Sequence, residues 1–360
     1  MKQITATQLA FAYVGAFLGA GFVSGQELWQ FFACFGPIGL LGFVLTAVLF
    51  FIINYSLLRL VQTTGQVEMG RLMTIGDHPR LAAVVNALQI LLLFGVAVIM
   101  IAGAASLAQQ LLPVPAWLAG GLFTLIVILV ALLGMQGLVA VFSFVVPATT
   151  VCAVVLGAIT LLRGDFQFAP AAGSISALVP HWMIGFPTYA AYNLFGTISI
   201  LVPFVQAISQ KSTIRRGLGL GSGILILLAW SIIAALAAVP TAGLAELPMA
   251  VLAGQLHPAL EAGYGILMAL GMFSATLSTI TASVNQIAIR WRKAAVHYKW
   301  FTTILLIVAY LLSQLGFGSL IGVAYPVFGY LSIPFLCCIV INITLTVRYD
   351  RKGQVRWNKK

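Results

Sequence analysis

The stretch Gly15-Ala16-Phe17-Leu18-Gly19-Ala20-Gly21-Phe22-Val23-Ser24-Gly25-Gln26-Glu27 decides how the rest of the chain is read. It lies inside an apolar segment from about Ile4 to Cys34, longer than the roughly 20 residues a helix needs to cross a bilayer. Four glycines within eleven residues disfavour an unbroken helix, each by roughly 1 kcal/mol relative to alanine. In lipid, unwound backbone persists only where protein or a hydrated cavity surrounds it. Gly19 to Gly21 falls roughly 22–26 Å along the segment at about 1.5 Å per residue, near the bilayer middle once tilt is allowed. Helices broken at mid-membrane are one way that secondary transporters hold a solute and a coupling ion. The same glycines form the small-xxx-small pairs Gly15-xxx-Gly19 and Gly21-xxx-Gly25, which also serve close helix packing. Ser24, Gln26 and Glu27 beyond the break favour a site, because an acid inside a span is functional by default.

Composition agrees with a membrane protein. Of 360 residues, 61% are hydrophobic and 7% charged, which no soluble domain matches. The first segment ends in Gln26-Glu27 rather than at a small-residue cleavage site, so it reads as a retained span. Cys34, Cys152, Cys337 and Cys338 lack metal-ligand spacing and read as packing residues. A net charge of +11 raises nucleic acid as a partner, but the positions exclude it. Hydropathy places about ten spans at 4–34, 37–62, 81–111, 116–134, 138–162, 181–210, 217–239, 259–289, 297–315 and 319–347. With the N-terminus in the cytoplasm, 17 of the 18 Lys and Arg fall inside and Arg163 alone falls outside. The expectation is a multi-pass protein of the cell membrane, in a lipid bilayer, with both termini cytoplasmic. Arg163 to Pro180, holding Asp165, and Pro240 to Pro258, holding Glu246 and His257, become external loops. They are long enough for short caps over a vestibule or for plain solvated turns.

The sixth span begins at His181, near the midpoint, so each half holds five spans. Five is odd, and the second half therefore enters the membrane inverted. The fold class predicted is all-α integral membrane, a five-plus-five inverted repeat in one domain over 1–360. Repeat one covers about 4–162 and repeat two about 181–347. The sixth span should be interrupted like the first, and Gly196 between polar residues, with Pro203 following, marks the place.

Breaks of this kind free backbone N–H groups that attract a carboxylate. The amides of Ala20, Gly21 and Phe22 are the candidates for a small-molecule substrate, and glycine there allows close approach. Tyr192, Asn193 and Thr197 are candidate side-chain contacts, with Ser24 beside the break and Phe17, Phe22 and Phe195 as candidate walls. Glu27 is a proton or gating candidate. In the eighth span Ser274, Ser278, Thr281 and Asn285 recur at i, i+4, i+7 and i+11 on one face, widened by Thr279, Ser283 and Gln286. Such hydroxyls bond their own backbone or glue helices, but oxygens in this number also suit a small hard cation. Gly217-Leu218-Gly219-Leu220-Gly221-Ser222-Gly223 mimics a phosphate loop, yet no strand precedes it, and it reads as helix packing. His78, His181, His257 and His297 are scattered, and no catalytic constellation is visible, so an enzyme is not expected.

The Gly-Ala-Gly-Phe-x-Ser-Gly-Gln-Glu core of Gly19–Glu27, the Ser/Thr-rich eighth span and the ten-span layout resemble the YkvI-like amino-acid permease family. That family lies in the amino acid–polyamine–organocation superfamily, with the LeuT-type fold. The reading is a secondary active transporter of a small organic solute, with an amino acid as the first choice, by alternating access, and with sodium symport as the first choice of coupling. Proton coupling through Glu27 or a non-transporting sensor are the alternatives. The resemblance implies a sodium ion between the first and eighth spans, on the carbonyls of Gly15, Leu18 and Ala275 and the hydroxyls of Ser278 and Thr279. Two departures stand out. Phe22 occupies the place of an asparagine that holds a second sodium in the neurotransmitter branch. The third span carries no tyrosine for a substrate carboxylate, which leaves that contact to the backbone.

Overall fold

The computed structural model describes residues 4–18, 20–65, 69–72, 74, 78–133, 138–163, 175–208, 210–291 and 296–351. Gly19, Asp165 and the basic residues Lys2, Arg292, Lys293, Lys352, Arg356, Lys359 and Lys360 lie outside them. The first span opens at Thr5, whose hydroxyl accepts from the Gln8 N–H (3.2 Å) while the Gln8 side chain accepts from the Thr5 N–H (3.0 Å). This reciprocal cap satisfies two of the donors every helix start leaves free. The helix runs Ala6–Phe17 and stops. A single turn, Ala20–Ser24, follows, then Gln26–Phe31. Gly25 separates those two pieces at φ +84, a left-handed conformation that glycine reaches without a Cβ penalty. The first span is therefore broken twice, once where the sequence placed it and once more at Gly25.

The remaining spans are Pro37–Thr64, Pro79–Leu111, Ala116–Leu133, Leu138–Arg163, Trp182–Leu201, Lys211–Ala238, Pro258–Arg290, Tyr298–Ser313 and Phe317–Arg351. Among the described residues six helices are long and apolar enough to cross a membrane. Ala6–Phe17, Ala116–Leu132 and Tyr298–Ser313 are shorter apolar helices. Large apolar side chains such as Leu91, Leu122, Val151 and Ile266 stand more than half exposed around the outside, as a lipid-facing surface requires. This is a multi-pass helical membrane protein.

The sixth span corrects one expectation. Its α-helix passes through Gly196 unbroken and gives way to a 3-10 helix at Val202–Ala207, around Pro203. Proline removes an N–H and clashes with the preceding turn, so it is a harder stop than glycine, whose cost neighbouring helices offset. The discontinuity is real but lies six or more residues beyond the glycine.

Helix packing repeats itself between the halves. The first span packs on the seventh as the second does on the sixth, and the fifth on the eighth as the tenth on the third. The first also meets the fifth, and the sixth the tenth, while the third and eighth pack together. Every such pair maps onto its partner when five is added to or subtracted from each span number, which is a five-plus-five repeat expressed as contacts. Glycine enables the first–seventh contact. A Cβ on Gly217 would stand 2.8 Å from Leu9 Cδ2, and one on Gly221 2.5 Å from Tyr13 Cδ1. The glycine run of the seventh span is thus a packing face.

Between the seventh and eighth spans, Pro240–Gly243 and Pro248–Leu256 form the short capping helices. Gly243 lies flat on Trp29 of the first span, since its Cβ would be 2.3 Å from that ring. Glu246 accepts from the Ser106 hydroxyl (2.7 Å), which ties the cap to the end of the third span, and Glu261 at the start of the eighth span accepts from the Gln110 amide there (2.6 Å). Cys34 is buried in the core, whereas Cys152 and Cys337 face outward, so packing describes only the first of them.

Candidate functional site

A cavity of about 50 Å³ lies beside the first break. Its wall includes Gly15, Ala16, Phe17 and Glu27 of the first span, Tyr192, Asn193 and Gly196 of the sixth, and Ala275, Ser278 and Thr279 of the eighth. Leu92, Leu93, Val96 and Met100 of the third span give it one apolar side, and Tyr325 of the tenth completes it. One water needs roughly 10–15 Å³ on this measure, so the cavity has room for about four non-hydrogen atoms.

The first span builds one side of it by stopping. The Leu18 N–H bonds the Val14 carbonyl (3.1 Å), and beyond that the ladder ends. A helix end leaves its last carbonyls without intrahelical partners. The Leu18 carbonyl faces the eighth span, where a Cβ on Gly271 would be 3.7 Å away. Gly15 sits on the cavity wall with Ala275, Ser278 and Thr279. Both hydroxyls donate to the Ala275 carbonyl, Ser278 at 3.0 Å and Thr279 at 2.8 Å. Ser274, Thr276 and Ser283 also bond carbonyls of their own helix. A hydroxyl that donates to its backbone keeps its lone pairs, so Ser278 and Thr279 remain acceptors toward the cavity. Thr281 is half-buried and Asn285 exposed, so the polar face leaves the core toward the end of the span.

Glu27 is the centre of the opposite side. On a straight helix it would stand about 9 Å beyond Gly21. The left-handed Gly25 turns the chain so that the Glu27 side chain folds back on Gly21. A Cβ added there would lie 2.1 Å from Glu27 Oε1 and 2.6 Å from Cδ. The carboxyl is 4% exposed, and its Oε2 accepts from the Tyr192 hydroxyl at 2.7 Å. The Tyr325 and Tyr189 hydroxyls stand near the same carboxyl. Tyr325 stacks on Tyr192 with ring centroids 4.8 Å apart and 11° between planes, and Tyr189 meets Tyr192 edge-on at 5.3 Å. The buried Tyr189 hydroxyl has no hydrogen-bond partner of its own.

Of the residues singled out in the sequence, the cavity gathers Phe17, Tyr192, Asn193, Glu27, Gly15, Ala275, Ser278 and Thr279. Asn193 donates its amide to the Tyr189 carbonyl (3.1 Å). Others lie off the wall. Phe22 packs edge-on against Phe43 and Phe195 against Phe335. The Ser24 hydroxyl is used locally, donating to the Gly21 carbonyl (3.2 Å) and accepting from the Gln26 N–H (3.3 Å). Thr197 is buried with its hydroxyl unpartnered. Ala20 and Gly21 belong to the single turn after the break, and the open side of Gly21 is taken by Glu27. Sequence reasoning missed Tyr325, Tyr189 and the apolar wall of the third span. A tyrosine at mid-span beside Pro326 was the available signal for the first.

Arranged this way, the fold is that of a LeuT-type membrane protein, with a broken first helix against the eighth. MhsT, solved in complex with L-phenylalanine, shares it with a TM-score of 0.61 at 14% identity, over 93% of this chain and 89% of that one. The manganese transporter of Eremococcus coleocola, solved as a point mutant, matches with a TM-score of 0.51 at 12% identity, over 98% and 88% of the two chains. In sequence the chain is similar to YkvI, a membrane protein. It is 26% identical over 336 residues to YkvI of Bacillus subtilis (strain 168), covering 92% of this chain and 94% of that protein. YyaD of the same organism is 23% identical over 340 residues, 91% and 94% of the two chains. No family model matches.

Proposed function

We propose that this protein is a secondary active transporter of a small organic solute of the amino-acid class, working by alternating access and driven by sodium. The observation that carries the reading is the shared cavity. The broken first span and the hydroxyl face of the eighth meet on it with the polar face of the sixth. A site between two elements that are each interrupted or polar is one whose occupancy can bias their relative position, by differential affinity for the two states.

In this reading the solute contacts Phe17, Tyr192 and Asn193 directly, with Ala20, Gly21, Phe22, Ser24, Phe195 and Thr197 shaping the turn and the wall behind them. Sodium sits on the carbonyls of Gly15, Leu18 and Ala275 and the hydroxyls of Ser278 and Thr279. Five neutral oxygens suit a monovalent ion better than calcium, whose sites bring carboxylates. The two five-span repeats form one domain in the cell membrane, with both termini on the cytoplasmic side, as the split of basic residues supports. A second reading, proton coupling, is favoured by Glu27, the buried acid on the cavity wall held by a tyrosine.

The test is uptake of radiolabelled amino acids by the purified protein in liposomes, under an inward sodium gradient, with choline as replacement. Sodium-driven accumulation is expected. Uptake indifferent to that exchange but driven by a proton gradient moves the coupling to Glu27. No gradient-driven uptake of any amino acid refutes the reading.

A further inference from the structure

The cavity holds one ionisable side chain, Glu27, and no basic partner for it. Among the described residues on its wall the polar groups other than Glu27 are Tyr192, Asn193, Ser278, Thr279 and Tyr325, all neutral, and none is Lys, Arg or His. A carboxylate held only by tyrosine hydroxyls inside a protein is costly until a cation joins it. Glu27 also occupies the place where the sequence puts a ligand carboxylate. Its Oε1 lies 2.1 Å from where a Cβ of Gly21 would stand, so the open side of that glycine is already filled by a carboxyl oxygen. An acid arriving there meets like charge at contact distance.

The walls fit a cation instead. A carboxylate offers about four acceptor positions, and Tyr192 fills one at 2.7 Å, which leaves room for the N–H donors of an ammonium. Tyr192, Tyr325 and Phe17 bring aromatic rings to the same space, and ring faces attract cations. The cavity of about 50 Å³ holds a short primary amine, or the amine end of a somewhat larger solute such as L-alaninamide.

We propose that the solute is recognised through a protonated primary amine docked on Glu27, and that a carboxylate on the solute is dispensable. This rests on the transport reading and deepens it. It assigns the amino group as the anchor and takes the backbone of Gly21 out of direct ligand contact.

The experiment measures the thermal unfolding midpoint of the purified full-length protein in detergent. The buffer is phosphate at constant low sodium, because Tris is itself a primary amine. The probes are n-propylamine, L-alaninamide, L-alanine and propionate. n-Propylamine and L-alaninamide are expected to raise the midpoint in a saturable way and propionate to leave it unchanged, with L-alanine no better than its amide. Glu27→Gln is expected to lose the amine response. Tyr192→Phe keeps the carboxyl and the ring stack, and is expected to weaken the apparent affinity about tenfold, as loss of a bond to a charged group does. A response to L-alanine or propionate without one to the two amines overturns the proposal, as does an amine response that survives Glu27→Gln. If Glu27→Gln does not fold, the probe series on the unaltered protein and Tyr192→Phe still decide. Sodium-driven uptake of amino acids with no amine response sinks this proposal and spares the transport reading. Amine binding without uptake under any ion gradient does the reverse.

Discussion

Replacing Gly21 by alanine sets two effects of known sign against each other. Gly21 has no left-handed φ, so the backbone tolerates alanine, and in a helical turn alanine is favoured by roughly 1 kcal/mol. The new Cβ, however, would stand 2.1 Å from Glu27 Oε1, 2.4 Å from Cγ and 2.6 Å from Cδ. Three atoms of one side chain cannot all yield by a few tenths of an ångström. The Glu27 side chain must leave, and its 2.7 Å bond from Tyr192 breaks. A hydrogen bond to a charged group is worth roughly 1.5–3 kcal/mol, so the net expectation is destabilisation by about 0.5–2 kcal/mol. In a Glu27→Ala background the collision is gone and only the helical gain remains. There the same substitution should stabilise. The assay is equilibrium unfolding by SDS titration in mixed micelles for the four proteins of the cycle, with an expected coupling of roughly 1.5–3 kcal/mol. Equal destabilisation by Gly21→Ala with and without the Glu27 side chain refutes the folded-back carboxyl, and with it the filling of the open side of Gly21.

Other substitutions probe the remaining supports. Gly25→Ala forces a side chain into φ +84, costing roughly 1–2 kcal/mol. Its Cβ would also lie 2.9 Å from Leu236 Cδ1, so a lower unfolding midpoint than wild type is expected. Ser278→Ala combined with Thr279→Val should abolish the sodium stimulation of uptake. A sodium response that survives puts the ion elsewhere. Gly221→Val overpacks the first–seventh helix contact against Tyr13 and should destabilise by about 1–3 kcal/mol, whereas Gly223→Ala, with nothing within 4 Å of its Cβ, should not.

The spans were legible because hydropathy and positive charge answer to the bilayer itself, and that field acts on each segment separately. Span limits at Pro37, Leu111 and Ala116 follow from it directly. The break near Gly19 was legible for a similar reason, since glycine density is a local property. What escaped depended on geometry between elements. Nothing local distinguishes Gly25 at left-handed φ from Gly21 at ordinary φ, yet that one turn carries Glu27 from about 9 Å away to contact with Gly21. Tyr325 is distant from Glu27 in sequence and joins it through the tenth span's packing on the sixth span and on Gln26–Phe31. Gly196 and Pro203 are both visible in the sequence, and Gly196 is the weaker breaker set among polar residues. The structure uses that polarity for the cavity wall and leaves the interruption to the proline.

An amine anchor and a sodium site on the same small cavity constrain each other through charge. Two monovalent cations about 6 Å apart repel by roughly 3 kcal/mol at an effective dielectric near 20. One carboxylate neutralises one of them. A zwitterion brings its own carboxylate to offset the sodium, whereas a simple amine does not. Direct electrostatics therefore make sodium less favourable toward an amine than toward an amino acid. The first span, shared by both sites, can still couple them through its position, but such coupling is typically about 1–3 kcal/mol and at best matches the repulsion. Sodium is thus expected to raise the apparent affinity for L-alanine and to leave unchanged or lower that for n-propylamine. Because binding linkage is reciprocal, each ligand should shift sodium affinity by the same factor that sodium shifts its own. Titration calorimetry in both directions measures the two factors. Sodium favouring the amine over the zwitterion would mean that the two cations do not share this cavity.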